Sequence, residues 1–437
     1  MPHDLPLITT ISVGLGLACL LGLLAHRLRL PLIAGYLAAG VLIGPFTPGY
    51  VANQDIATEL AEMGVILLMF GVGMHFSLRE LMAVRGIAIP GALAQIAVAT
   101  AMGTALGLVL GWGWGGGVIF GLALSVASTV VLLRALQDRG LDHSPQGHIA
   151  VGWLIVEDLA MVVALVIIPA LSGLLGGDAQ PIEPETAEIA QLGVGTIGAV
   201  LLITLAKVAA FVAVMLIVGR RVIPVALEMV SRTGQRELFR LSVLAIALGV
   251  AFVAASIFGV SFALGAFFAG MVMAGSTLSA QATKDVLPFR DAFAVLFFVS
   301  VGMLFDPDIL IQQPFSVMVT ILIIMGVKSA AAYWIVRAFG RDRVTALTIA
   351  AALAQIGEFS FILIVMGVKL SIVPPEARDL VVAGALVSIV LNPAVFRILD
   401  RLLPGPPAEA APDPAEAAPL SAEPAENPGD QQKPSAA

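Results

Sequence analysis

Thirteen apolar runs joined by short polar links fill most of this sequence. Their limits are about 6–26, 31–45, 59–77, 86–111, 116–136, 148–174, 192–218, 238–257, 260–275, 291–305, 310–336, 344–368 and 379–398. A bilayer core about 30 Å thick is crossed by about 20 mostly apolar residues in a helix. The runs 31–45, 260–275 and 291–305 are shorter than that and need flanking residues or tilted neighbours to cross. The first run lacks a basic leading segment and a clean cleavage site, so it reads as a span and not as a removable signal. Composition excludes the other classes. Charged residues make up 12% of the chain, against about 25% in a typical soluble domain, and the mean hydropathy is +1.00. So little polar surface cannot cover a soluble core. A net charge of -7 without a basic patch excludes a nucleic-acid binder, and the single Cys19 excludes a disulfide framework or a thiolate metal site. The expected fold class is an all-α polytopic membrane protein with about 13 transmembrane helices.

The basic residues test that count. Of the 22 Lys and Arg before residue 404, eighteen fall in links on one side, two (Lys369 and Arg378) on the other, and Lys207 and Lys328 lie inside spans. The positive-inside rule then predicts an outer N-terminus and a cytoplasmic C-terminus, in a bacterial inner membrane. The chain divides into a transmembrane domain, 1–403, and a tail, 404–437. With nine Pro and six acids, the tail reads as extended and disordered.

The spans also repeat. Gly35 to Gly40 aligns with Gly265 to Gly270, and Val72-Gly73-Met74 with Val301-Gly302-Met303, at offsets of 230 and 229 residues. Span n thus matches span n+7. Because seven is odd, the second copy enters the membrane from the opposite side. Spans 1–6 against 8–13 form an inverted repeat with span 7 as connector, an arrangement typical of secondary transporters.

A charge at a helix centre costs about 2.5–3.5 kcal/mol on insertion scales, so charged residues inside spans are the candidate site. Glu157 and Asp158 lie near the middle of span 6, and Lys328 lies near the middle of span 11 among small neighbours. Adjacent residues on a helix point about 100° apart. One carboxylate can therefore face a protein partner while the other faces a cavity. Glu157 and Lys328 read either as a structural ion pair locking two helices or as part of the transport machinery. One Lys cannot neutralise both acids, and a buried carboxylate left unpaired can take up a proton or a cation. Gly357 and Glu358 in span 12 suggest an interrupted helix, whose freed ends offer dipoles and carbonyls to ions, and Ser128 and Thr129 occupy the matching place in span 5. The plain alternatives are back-bonding of the two hydroxyls to i−4 carbonyls and a capping role for Glu358. Lys207 in the connector reads as structural, and Glu62 and His75 as interfacial.

At these residues the sequence resembles the monovalent cation:proton antiporter family 2, and within it the YbaL-like members of the Kef-type branch. Leu67–Ser77, Leu122–Arg134, Gly152–Asp158, Phe262–Met271, Phe297–Met303 and Ala354–Phe359 carry the likeness, which covers residues 1 to about 403. The resemblance implies H⁺-coupled exchange of Na⁺ or K⁺ by elevator-like alternating access in a homodimer embedded in lipid. No cofactor, resident metal or nucleic acid is implied, and the protein is not an enzyme. Spans 1–3 and 8–10 would form the dimerisation side, spans 4–6 and 11–13 the moving core, and spans 5 and 12 a crossed, broken pair. Asp158 matches the family's ion- and proton-binding aspartate, Glu157 the position before it, and Lys328 the lysine that pairs with that position. Ser128 and Thr129 would assist in cation binding. Glu at 157 departs from the residues usual in the electrogenic, Kef-type and electroneutral branches, so stoichiometry does not carry over. Kef-type proteins continue into a nucleotide-binding domain, whereas no GxGxxG follows the last span here, so regulation by nucleotide or glutathione is not expected. The rival readings are a gated Kef-like K⁺ efflux conduit and a transport-dead sensor or scaffold.

Overall fold

A computed structural model describes residues 6–28, 30–75, 78–137, 139–141, 144–178 and 195–402. The tail 404–437 and the side chain of His75 lie outside the described residues. Helix is the local answer wherever the chain is apolar, because lipid leaves backbone groups no partner but one another. The elements are α1 (Pro6–Arg27), α2 (Leu32–Ile43), α3 (Gln54–His75), α4 (Leu78–Val109), α5 (Gly113–Ser125), α6 (Thr129–Gln137), α7 (Pro145–Leu171), α8 (Gly195–Val214, continued by Met215–Gly219 and Arg220–Ser231), α9 (Arg236–Phe258), α10 (Phe262–Ala274), α11 (Ser279–Met303), α12 (Pro314–Ala338), α13 (Arg343–Ala352), α14 (Glu358–Lys369) and α15 (Pro375–Leu402). Among the described residues, nine helices are long and apolar enough to cross a membrane. Four shorter apolar helices, Leu32–Ile43, Gly113–Ser125, Phe262–Ala274 and Arg343–Ala352, accompany them. Large apolar side chains such as Leu20, Val109, Ile257 and Trp334 remain more than half exposed on the outside of the bundle, where lipid would be.

Two boundaries differ from the sequence expectation for a physical reason. The run 291–305 is not short: α11 begins at Ser279, and Lys284, Asp285 and Arg290 hide its first three turns from a hydropathy count. The connector does not end near 218 but runs on through a π-helical turn, Met215–Gly219, to Ser231, along an amphipathic stretch carrying Arg220 and Arg221.

The helices pack as two groups. In the first, α3 lies against α10 and α11, α2 against α1 and α11, and α9 against α10. Glycine permits the tightest crossings: a methyl group at Gly40 would strike the backbone of Val299 and Gly302, and one at Gly270 the backbone of Phe70 and Gly73. Such close backbone approach is how helices associate in lipid, where burial from water no longer drives them together. In the second group, α4 packs on α5 and α7, α12 on α4 and α13, and α14 on α5 and α15. The connector α8 touches α7, α9 and α10. Its Lys207 lies beside Gly259, the left-handed C-cap of α9, with Nζ 3.9 Å from where a Cβ would stand. A cation there complements the negative end of the helix dipole.

Among the described residues, side-chain and backbone contacts join the groups besides the packing of α7 on α10 and of α15 on α2. Phe361 of α14 meets the rings of Phe297 and Phe298 of α11 at 6.5 and 6.1 Å. Lys369 at the end of α14 pairs with Glu62 of α3 at 2.7 Å, both more than half exposed. The backbone N–H of Asp306 donates to Asp379 Oδ1 of α15 at 3.4 Å.

Asp342, outside the spans, caps α13 by accepting from the Thr345 hydroxyl and from the Thr345 N–H. The hydroxyl bond first, then the backbone bond, holds its carboxyl below the usual carboxylate range. The cap therefore stabilises fully above about pH 4 and loses that effect as pH falls through the depressed folded value. Asp342→Ala should cost about 1 kcal/mol in thermal unfolding of detergent-solubilised protein at neutral pH, and less in acid.

Candidate functional site

The second group is built around two interrupted helices. α5 stops at Ser125, the chain runs extended through Val126, and α6 starts at Thr129. α13 stops at Ala352 and α14 starts at Glu358 after an extended Gly357. The two breaks touch. A Cβ on Gly357 would stand 2.7 Å from Ser128 Cα, so only glycine lets the strands of backbone meet. Buried helix ends leave N–H and C=O groups without partners, and this crossing satisfies them individually. Gly357 N–H donates to Val126 O at 3.2 Å. Gln355 reaches across with both ends of its amide, accepting from Ser128 N at 2.9 Å and donating to Ser128 O at 3.1 Å. Gln95 of α4 donates to Ser125 O at 2.8 Å and accepts from the Trp153 indole at 3.1 Å. Asn392 of α15 donates to Ala351 O at 3.0 Å.

The charged residues converge on this crossing. Glu157, fully buried, accepts from Ala127 N at 2.8 Å through Oε2, while its Oε1 has no hydrogen-bond partner. Its neighbour Asp158 faces a different way. Asp158 Oδ2 accepts from the Thr129 hydroxyl at 3.3 Å, and Oδ1 is buried without a partner. The carboxylates of Glu358 and Glu157 both act on Asp158 through space. Glu358 opens α14, where a negative charge complements the helix dipole.

Lys328 follows directly on a π-helical stretch of α12, Leu322–Val327, and is fully buried. Its Nζ donates to the Gln355 carbonyl of the second break. Lys328 and Glu157 act on each other electrostatically, but no contact ion pair joins them among the described residues. The lysine thus serves two partners, an acid and a freed carbonyl.

Back-bonding, the plain alternative for the two hydroxyls, is not the contact they make here. Ser128 Oγ accepts from Val131 N at 3.4 Å and so caps α6, and Thr129 is spent on Asp158. The sequence reading does not single out Gln95, Gln355 or Asn392, although each is a polar side chain inside an apolar run. Gln95→Leu leaves a carbonyl and an indole N–H unpaired in the interior. It should lower stability by about 1–3 kcal/mol, read as a lower melting temperature of the purified protein.

Chemically the site holds a buried carboxylate oxygen with no donor, flanked by a hydroxyl and two further acids. It lies beside the N-termini of two half-helices. A proton or a small cation on Asp158 would relieve the repulsion, and the two cannot occupy the same oxygen together. Among the described residues no three His, Cys, Asp or Glu side chains converge as a resident metal centre.

The sequence profile of the sodium/hydrogen exchanger transmembrane family matches residues 15–399. YbaL of Escherichia coli (strain K12), assigned by inference as a cation/proton antiporter, is 59% identical over 403 residues, which are 92% of this chain and 70% of that protein. K(+) efflux antiporter 4 of Arabidopsis thaliana is 30% identical over 402 residues, 92% of this chain and 65% of that protein. Among solved structures, the sodium proton antiporter MjNhaP1 from Methanocaldococcus jannaschii at pH 8 superposes with a TM-score of 0.69 at 17% identity, covering 92% of this chain and 99% of that one. At that identity the likeness is one of fold.

Proposed function

Since the chain belongs to the sodium/hydrogen exchanger transmembrane family and is a multi-pass secondary active cation/proton antiporter of the YbaL-like type, we propose that its cargo is Na⁺ or K⁺ and that Asp158 is the group which proton and cation occupy in turn. The observation that carries this is the buried Asp158 Oδ1 without a hydrogen-bond partner. Deprotonated Asp158 takes the cation, helped by Thr129 and Ser128 at the start of α6 and by Glu358 at the start of α14, and reprotonation releases it. Lys328 and Gln355 hold the crossing together while this happens, and Glu157 ties α7 to the first break.

Movement follows the elevator scheme: the α4–α7 and α12–α15 group slides against the group built on α1–α3 and α9–α11. Supporting this is the packing of the helices into those two groups, joined by few contacts. An inverted repeat within thirteen spans accords with the two glycine crossings. Gly40 on Gly302 and Gly270 on Gly73 use positions about 230 residues apart. The working form is a homodimer in the bacterial inner membrane, with an outer N-terminus and a cytoplasmic C-terminus. Residues 1–403 form the transport domain.

The test is dequenching of a pH dye in everted vesicles on addition of Na⁺, K⁺ or Li⁺. A response saturable in cation and dependent on a proton gradient supports the exchanger. K⁺ flux that persists without a proton gradient, at rates beyond those of a carrier, would establish a conduit instead.

A further inference from the structure

Among the intramembrane acids, Glu358 has a cationic neighbour that belongs to the other helix group. Phe361 lies three residues beyond Glu358 and meets Phe297 and Phe298 of α11. Residues three apart share a helix face, so Glu358 stands on the face of α14 turned toward α11. Arg290 lies seven residues before Phe297, two turns away on the same face of α11, about 10 Å along the axis. Glu358 sits one turn before Phe361, and the reach of an arginine covers the remaining offset. Gly71 of α3 makes room for the arginine stem: a Cβ there would stand 2.6 Å from Arg290 Cδ. The side chain is about three-quarters buried, and its guanidinium holds Asp291 Oδ1 at 2.8 Å from Nη2. Its positive charge acts on Glu358 across the boundary between the groups. Among the described residues, Asp158 from α7 and Arg290 from α11 are the charged groups that act on Glu358, beside the Ser128 hydroxyl.

We propose that Arg290 is a positioning residue for exchange: anchored to the stationary group, it offers Glu358 a tethered positive charge when α14 stands where it does here, and competes there with the transported cation. When the core slides, α14 leaves Arg290 behind, and Glu358 becomes free to help hold the cation. The site therefore binds cation more weakly in the position seen here than in the other, which favours release in this position. This rests on the exchange reading above and adds to it the device that makes the two positions unequal.

The test uses the full chain, purified and also reconstituted, with Na⁺ and K⁺ as probes. Two readouts are taken: the cation concentration giving half-maximal thermal stabilisation, and the KM and kcat of exchange. Arg290→Gln should lower both the half-maximal concentration and KM about fivefold and lower kcat, because release slows. Arg290→Lys, which keeps the charge, should stay near the wild type. In a Glu358→Gln background, Arg290→Gln should move neither the half-maximal concentration nor KM. An equal shift in both backgrounds overturns the proposal, as does a fall in kcat and melting temperature with no change in cation affinity. A wild-type protein that neither exchanges cations nor is stabilised by them removes the exchange reading itself, and the proposal with it.

Discussion

Asp158→Asn is expected to reduce cation-driven proton flux to the level of vesicles lacking the protein, while the melting temperature stays close to that of the wild type. Asn has nearly the size of Asp and can still accept from the Thr129 hydroxyl. It brings no negative charge into a site where Glu157 and Glu358 already repel one. The fold therefore has no reason to fail. What is lost is the carboxylate proposed to carry proton and cation in turn, because an amide carries neither across a cycle. Glu358→Gln should be milder, since it removes a helper and leaves the titrating group in place. Wild-type exchange by Asp158→Asn would dismiss the assignment.

Lys328→Met is expected to be the most damaging single change to stability. It removes the charge balancing a fully buried Glu157 and the donor serving the Gln355 carbonyl. Leaving a buried carbonyl without its donor costs about 1–3 kcal/mol, and the loss of the balancing charge on buried Glu157 adds to that. The variant should express poorly and melt well below the wild type. Adding Glu157→Gln removes the stranded charge, so the double variant should recover part of the loss. Recovery measures the electrostatic share, and the remainder belongs to the carbonyl. A double variant as unstable as the single would place the whole effect at Gln355.

Much of this architecture was legible in the chain because lipid enforces simple rules. Apolar runs must become helices. Glycines recurring at a fixed offset, such as Gly40 with Gly270 and Gly73 with Gly302, mark the places where backbones meet. The acids of the site stood out because charge inside an apolar run is rare. Two things were harder to read. Helices carrying charge on one flank, such as the first turns of α11, look shorter than they are in a hydropathy count. The partners of buried groups were hidden as well. The resemblance pairs Lys328 with Glu157, yet its direct partner is the backbone carbonyl of Gln355, freed by the second break. Which side chain reaches which freed backbone group depends on how two breaks cross, and no spacing along one chain encodes that crossing.

If one carboxylate serves proton and cation alternately, binding a cation must expel a proton. The most direct measurement is proton release on cation binding: purified wild-type protein in weakly buffered detergent, with pH followed as Na⁺ or K⁺ is added. Release should be saturable, track cation binding and disappear in Asp158→Asn. Cation binding without proton release, or undiminished release from Asp158→Asn, would contradict it.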